Sequence, residues 1–123
     1  MKSISVEELK ELRESGVPFF LLDVREPSEF AGGKISGAVN IPMNDVERRL
    51  RELPKDRQIV VMCHAGSRSA RMTGVLNKLG YKNAVNLTGG ISAWSRLADP
   101  KAASGGMSLS GLLKSIFGSS RQS

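Results

Sequence analysis

The chain has 123 residues, a length that fits one compact domain with a hydrophobic core and a short appendage. Its hydrophobic share of 40% and charged share of 24% are ordinary for a soluble globular protein, and no apolar run approaches the roughly 20 residues that a membrane-spanning helix needs. The net charge of +6 comes from scattered Lys and Arg with few aromatic residues between them. We therefore expect no nucleic-acid partner, and a positive field that gathers small anions fits this charge at least as well.

The only cysteine, Cys63, excludes an internal disulfide, and the sequence has no spacing typical of a structural zinc site. Residues 1–8 lack the apolar stretch of a secretory signal. We therefore expect a reducing, cytoplasmic environment. In that environment Cys63 either reacts or packs as a small apolar residue.

Strand and helix patterns alternate along the chain. Ser5 and Glu8 form a capping-box pattern before a helical repeat, and the apolar run at 19–24 is typical of a strand buried on both faces. Asp23 and Arg25, at the end of that strand, are interpreted as a structural pair that holds neighbouring loops. In chain order, the patterns predict a helix over 6–15, a strand over 19–24, a turn or short helix over 27–31, a strand over 38–41, a helix over 44–53 capped by Asn44, a strand over 58–62, a helix over 69–79, a strand over 84–87 and a helix over 90–97. This alternation indicates an α/β domain with a mostly parallel sheet.

The composition changes near the end of the chain. Residues 101–108 are rich in Ala, Ser, Gly and Lys, which is typical of a linker. Residues 109–117 carry apolar side chains at helical spacing. The sequence thus predicts a domain over 1–98, followed over 99–123 by a linker and a short amphipathic tail. The tail would dock on protein, lie on a membrane surface or stay disordered, and docking on protein is the favoured interpretation.

The strand, loop and helix around Cys63 form the strongest functional signal. The apolar run at 58–62 ends at the cysteine, and a loop with Gly66 and Arg68 precedes the helix predicted from Ser69. Backbone N–H groups at a helix N-terminus lack partners within the helix, and the peptide dipoles add positive charge there. We therefore expect the thiol pKa to lie below the free value of about 8.5, and we expect an anion to bind beside it. In α/β sheets, ligands bind beyond the carboxyl ends of the strands, where Cys63 falls.

The other loop residues each have more than one interpretation. His64 either binds an anion or stays solvated, and Arg68 binds the anion, braces the loop or does both. Gly66 is expected to supply an unusual backbone conformation. Ser67 and Ser69 are candidate donors to the sulfur, and Ser69 is equally a candidate helix cap.

Within these elements the chain resembles the rhodanese (sulfurtransferase) family. The loop at 63–69, CHAGSRS, is similar to the Cys-x-x-Gly-x-Arg-Ser active loop of single-domain members. Lys34 stands where the family more often has His. Three further stretches are similar to family signatures: residues 22–30 (LDVREPSEF), residues 33–42 (GKISGAVNIP) and residues 87–94 (LTGGISAW).

The resemblance implies an α/β rhodanese-like domain with a five-stranded, mostly parallel sheet flanked by helices on both faces. It also implies that sulfane sulfur passes from thiosulfate or a related donor to cyanide or a thiol through a persulfide on Cys63. Thioredoxin-like proteins and sulfur-carrier proteins are further candidate acceptors, and no metal or organic cofactor is implied. The substrate-binding positions are then the loop residues His64, Ala65, Gly66, Ser67, Arg68 and Ser69.

Two other functions are compatible with such a scaffold. A non-catalytic rhodanese-like module that binds a partner protein commonly lacks the cysteine, which this chain keeps. A cysteine phosphatase or arsenate reductase needs a wider loop for a tetrahedral oxyanion. Because only four residues separate Cys63 from Arg68, we hypothesise that the short loop favours transfer of a single sulfur atom.

Overall fold

The computed structural model of the protein describes residues 1–98, and the predicted linker and tail at 99–123 lie outside the described residues. Five parallel strands form one sheet: β1 (Ser3–Ile4), β2 (Phe19–Asp23), β3 (Val39–Asn40), β4 (Gln58–Met62) and β5 (Ala84–Leu87). Their spatial order is β1-β5-β4-β2-β3. The α-helices are α1 (Val6–Ser15), α2 (Pro27–Ala31), α3 (Ser67–Lys78) and α4 (Gly90–Ala98), and two 3-10 helices span Met43–Asp45 and Glu47–Glu52.

Side chains of the central strand β4 alternate between two hydrophobic layers. Ile59 and Val61 pack with α3 and the 3-10 helices on one face of the sheet, whereas Val60 and Met62 pack with α1 and α4 on the other. All four side chains are fully buried, as expected for a parallel strand covered on both faces. The predicted five-stranded sheet with helices on both faces is therefore confirmed.

Two sequence-based predictions of secondary structure were wrong in part, and one strand was not predicted. The helix predicted over 44–53 is instead the pair of 3-10 helices, with Pro42 rather than Asn44 in the capping position and non-helical dihedrals at Arg49. The strand predicted over 38–41 contains only Val39 and Asn40. The outer strand β1 was not predicted from the residue pattern, because two residues are too few to carry a periodicity.

The helix ends explain where the loops begin. Ser5 and Glu8 form the predicted capping box, since each side chain bonds the other residue's backbone N–H. Helix α3 begins at Ser67, two residues earlier than predicted, and Gly66 occupies the N-cap with a φ of 111°. Ser69 therefore does not cap the helix, and its hydroxyl is available to the interior. Among the described residues, no helix combines the length and apolar character that a bilayer span requires.

Candidate active site

Cys63 lies where β4 ends, at the carboxyl edge of the sheet and beside the ends of both neighbouring strands. Its side chain is only 1% exposed. The loop that follows it turns back sharply, so that α3 begins with Ser67 and its first backbone N–H groups point at the sulfur. The sequence therefore places a thiol directly beneath a helix N-terminus.

The Cys63 sulfur accepts hydrogen bonds from two backbone amides. The amide of Gly66 is 3.1 Å from Sγ, and that of Ser69 is 3.4 Å away. The hydroxyl Oγ of Ser69 also lies 3.4 Å from Sγ. These two amides and the hydroxyl surround a sulfur that has almost no contact with solvent, and we name this set of contacts the amide cradle.

The amide cradle controls the ionisation of the thiol. Burial acts to raise the pKa of Cys63, since it disfavours the charged form. The Ser69 hydroxyl and the backbone amides of Ser69, Gly66 and Arg68 outweigh burial, and the pKa ends below its usual value. The lowered pKa favours the thiolate, which is the nucleophilic form of cysteine.

A buried polar side chain on β5 orients the Ser69 hydroxyl. Ser69 Oγ donates to Asn86 Oδ1 at 2.6 Å and lies 3.1 Å from the carbonyl oxygen of Gly66. Both Ser69 and Asn86 are buried. The sequence analysis missed Asn86, although a polar residue inside an apolar strand is a signal that could have found it, because buried polar groups need partners.

Two glycines on the far side support the loop from below. The carbonyl of Cys63 accepts from the Ile91 amide and that of His64 from the Ser92 amide, both at 2.9 Å, so the loop rests on the first turn of α4. A Cβ added at Gly90, whose φ is 57°, would lie 2.6 Å from the His64 carbonyl oxygen. Gly89 approaches the loop as well, since a Cβ on Gly66 would lie 3.2 Å from the Gly89 nitrogen. We name Gly89 and Gly90 the glycine floor.

The guanidinium of Arg68 binds a carboxylate that lies outside the loop. Its Nη1 donates to Glu29 Oε1 at 2.8 Å and its Nη2 to Glu29 Oε2 at 3.1 Å, a bidentate contact with helix α2. The Arg68 hydrogen bond is the main reason that the pKa of Glu29 falls to about 2. Glu29 likewise raises the pKa of Arg68, and the nearby charge of Cys63 raises it further. The sequence analysis left open that Arg68 braces the loop, but it did not identify Glu29 as its partner.

Asp23 and Arg25 form a second arginine–carboxylate pair, which is almost fully buried. Asp23 is 0% exposed and Arg25 is 4% exposed, with Arg25 Nη2 at 2.8 Å from Asp23 Oδ2. The guanidinium also donates to the carbonyls of Glu29 and Gly33, and thereby ties α2 to the end of β2. Asn40 bridges the same region through the carbonyls of Asp23 and Arg25.

The remaining predicted loop residues face the solvent. His64, Ala65 and Ser67 are exposed, whereas Cys63, Gly66 and Ser69 form the interior of the loop. Within residues 1–98, no group of three His, Cys, Asp or Glu side chains is arranged to hold a metal ion. The amides that contact the Cys63 sulfur can stabilise a thiolate there.

Comparisons with known proteins place the chain in one family. A family model described as "Rhodanese-like domain" matches residues 5–97. The putative sulfurtransferase YtwF of Bacillus subtilis is 40% identical over 101 residues, which covers 82% of this chain and 97% of the relative. A sulfurtransferase of Allochromatium vinosum is 43% identical over 76 residues, which covers 62% of this chain and 71% of the relative. The human single-domain sulfurtransferase TSTD1 superposes with a TM-score of 0.69 at 32% identity, covering 76% of this chain and 95% of that one.

Proposed function

The chain belongs to the rhodanese-like domain family of sulfurtransferases, and from this premise we propose that it moves a sulfane sulfur through a persulfide on Cys63. The donor is thiosulfate or a related sulfane compound, and the acceptor is cyanide or a thiol. The observation that supports the proposal most strongly is the amide cradle, which directs two backbone N–H groups at a buried sulfur of lowered pKa. A thiolate held in this way is an activated nucleophile.

The first half-reaction loads the enzyme. The Cys63 thiolate attacks the outer sulfur of thiosulfate, a new S–S bond forms, and the old S–S bond breaks with its electron pair leaving on sulfite. One negative charge stays on the terminal sulfur of the persulfide. That charge lies among the amides of Gly66 and Ser69, because the new sulfur extends from the sulfur they already contact.

The second half-reaction removes the sulfur from the enzyme. Cyanide or a thiolate attacks the terminal sulfur of the persulfide, and the electron pair of the S–S bond returns to Cys63. The products are thiocyanate or a new persulfide, together with the original thiolate. Because the enzyme alternates between two covalent states, we expect ping-pong kinetics. Neither step needs a metal or an organic cofactor.

The loop side chains have different roles in this proposal. The Ser69 hydroxyl lies beside the sulfur, and Asn86 holds it in place by accepting its hydrogen. Arg68, paired with Glu29, is the charged side chain of the loop that an incoming donor meets. The exposed His64, Ala65 and Ser67 line the outer surface, where an acceptor thiol on a thioredoxin-like or sulfur-carrier protein would approach.

Intact-mass measurement after incubation with thiosulfate tests the proposal. We expect one added sulfur atom, which cyanide then removes as thiocyanate, and no addition to the Cys63→Ser variant. Since Cys63 is the only cysteine of the chain, an addition can be assigned without mapping. A protein that hydrolyses an aryl phosphate but takes up no sulfur would contradict the proposal and would favour the phosphatase alternative. Failure to gain sulfur, combined with capture of a partner protein, would favour the binding module.

A further inference from the structure

Glu29 is fixed beside the active loop by two contacts that do not involve the loop. Its Oε1 accepts a hydrogen bond from the backbone N–H of Glu26 at 2.9 Å, which closes the capping box of α2. Its backbone carbonyl accepts from the buried Arg25 at 3.3 Å. One contact holds the carboxylate and the other holds the backbone, so the fold presents Glu29 to the guanidinium as a preformed partner.

The contact neutralises the charged side chain of the loop. Both Nη atoms of Arg68 are bound to Glu29, and the negative charge of Glu26 also raises the pKa of Arg68. The pair remains partly open to solvent, since the side chain of Arg68 is 37% exposed and that of Glu29 is 34% exposed. A donor anion that approaches the loop thus meets a cation and an anion together, although the whole chain carries a net charge of +6.

We propose that Glu29 determines which sulfur donors the loop prefers. Its pairing with Arg68 makes the loop favour monoanionic sulfane donors over dianionic ones. The inference rests on the sulfurtransferase function proposed above and refines its donor class. Thiosulfonates are monoanionic donors of this kind, whereas thiosulfate carries two negative charges. An unpaired Arg68 would attract the dianion about twice as strongly as the monoanion, since Coulomb energy scales with charge.

Methanethiosulfonate and thiosulfate form a matched pair of substrates. In each case the Cys63 thiolate attacks the outer sulfur, and the S–S bond breaks with its electron pair on the leaving group. The leaving group is methanesulfinate in one case and sulfite in the other. The loaded enzyme is the same persulfide, so a difference between the donors reports on their recognition and loading alone.

The test compares the KM of both donors in wild type and in Glu29→Gln. The glutamine keeps the shape and can still accept from the Glu26 amide, but it removes the negative charge. We expect the KM for thiosulfate to fall about tenfold and that for methanethiosulfonate about threefold. The Coulomb energy of the dianion changes twice as much as that of the monoanion, and the binding constant depends exponentially on this energy. We expect kcat to stay within about twofold for both donors, since the amide cradle is unchanged.

A matched control is available in the same chain. Glu52 is also in a bidentate contact with an arginine, since it accepts from Nε and Nη2 of Arg49 at 2.7 and 2.8 Å, but it lies on the 3-10 helix at Glu47–Glu52. Glu52→Gln removes one negative charge from an arginine pair elsewhere, and we expect it to leave both KM values unchanged. A fall in thiosulfate KM equal to that of Glu29→Gln would show an effect of net charge and would overturn the inference.

A second variant tests the opposite change of charge. Arg68→Gln leaves Glu29 without its cation, and we expect the KM for thiosulfate to rise more than that for methanethiosulfonate. The inference is overturned if Glu29→Gln changes the KM of both donors by the same factor, if it lowers kcat for both donors, or if it changes neither KM. In those cases persulfide formation on Cys63 would still support the proposed function. Absence of the persulfide with either donor would overturn the function and the inference together.

Discussion

The loop around Cys63 is held on two sides by contacts of different kinds. Below it lies the glycine floor, where backbone groups meet at distances that leave no room for a side chain. Beside it lies a charged rim formed by two arginine–carboxylate pairs, Asp23–Arg25 and Glu29–Arg68. The floor fixes the backbone that directs amides at the sulfur, whereas the rim fixes α2 and the charge that a donor meets. Reactivity and recognition therefore depend on different parts of the molecule.

The comparison extends into the rim itself, because its two pairs share bidentate geometry but differ in burial. Asp23 and Arg25 are almost completely removed from solvent, while Glu29 and Arg68 are about one-third exposed. A buried charge that loses its partner remains unsolvated, whereas an exposed one is hydrated by water. The inner pair should therefore matter for folding, and the outer pair should matter for recognition.

Asp23→Asn should have the largest effect on stability. It leaves the guanidinium of Arg25 buried without a countercharge, and we expect the free energy of unfolding to fall by about 3–5 kcal/mol. Urea denaturation followed by circular dichroism measures the change. The control is Asp45→Asn, which removes the partner of Arg48 on the surface and should leave the unfolding midpoint nearly unchanged. Equal midpoints for the two variants would contradict the division between inner and outer pairs.

Gly90→Ala should disrupt the glycine floor. A Cβ at this position approaches the His64 carbonyl to 2.6 Å in a left-handed backbone conformation, so the loop must shift. We expect a destabilisation of about 1–3 kcal/mol and a fall in kcat of at least tenfold, because the amides no longer point at the sulfur. Gly74→Ala is the matched control, since the residue lies inside helix α3 and an added Cβ there meets nothing within 4 Å beyond the adjacent backbone of its own helix. An unchanged kcat in Gly90→Ala would contradict the claim that the glycine floor holds the loop in its active conformation.

Ser69→Ala should affect the thiol more than the fold. It removes the hydroxyl beside the sulfur and leaves Asn86 Oδ1 without its donor, which costs about 1–3 kcal/mol. We expect the pKa of Cys63 to rise, because a group that lowers it is lost while burial remains. At a pH below that pKa less of the thiol is ionised, so the rate of sulfur loading from thiosulfate falls. Ser67→Ala alters an exposed hydroxyl and should load at the wild-type rate. Equal rates in the two variants would show that the Ser69 hydroxyl does not assist the thiolate.

Glu29→Gln should have the smallest effect on stability. Its ion pair is partly exposed, and we expect the free energy of unfolding to change by no more than about 1 kcal/mol. Since the pKa of Glu29 is about 2, the carboxylate is ionised throughout the neutral range, and the pair should not respond to pH there. Urea denaturation at two neutral pH values checks both statements. A loss comparable to that of Asp23→Asn would mean that the outer pair also holds the fold together.

Much of this arrangement could be predicted from the residue pattern, because it depends on local signals. Apolar runs predicted β2 and β4, and the capping box at Ser5 and Glu8 predicted the start of α1. The position of Cys63 at a strand end, followed closely by Gly66, indicated a thiol beneath a helix N-terminus. These features depend on neighbours in sequence, so a periodicity or a cap is sufficient to find them.

The features that were missed depend on contacts between distant segments. Glu29 is 39 positions from Arg68 in the chain, and Gly90 supports a loop that begins 27 residues earlier at Cys63. No local pattern encodes such pairings. The prediction of an α-helix over 44–53 was wrong for another reason. The spacing of its apolar residues also fits 3-10 turns that follow a proline.

Titration of the Cys63 thiol tests the central claim most directly. Thiolate absorbs in the far ultraviolet where thiol does not, and subtraction of the Cys63→Ser spectrum isolates the only cysteine of the chain. The account predicts a midpoint below that of an unperturbed thiol, about 8.5, because the amide cradle outweighs burial. A midpoint at or above that value would mean that the sulfur is an ordinary buried thiol, and it would contradict the account of this loop as a site of sulfur transfer.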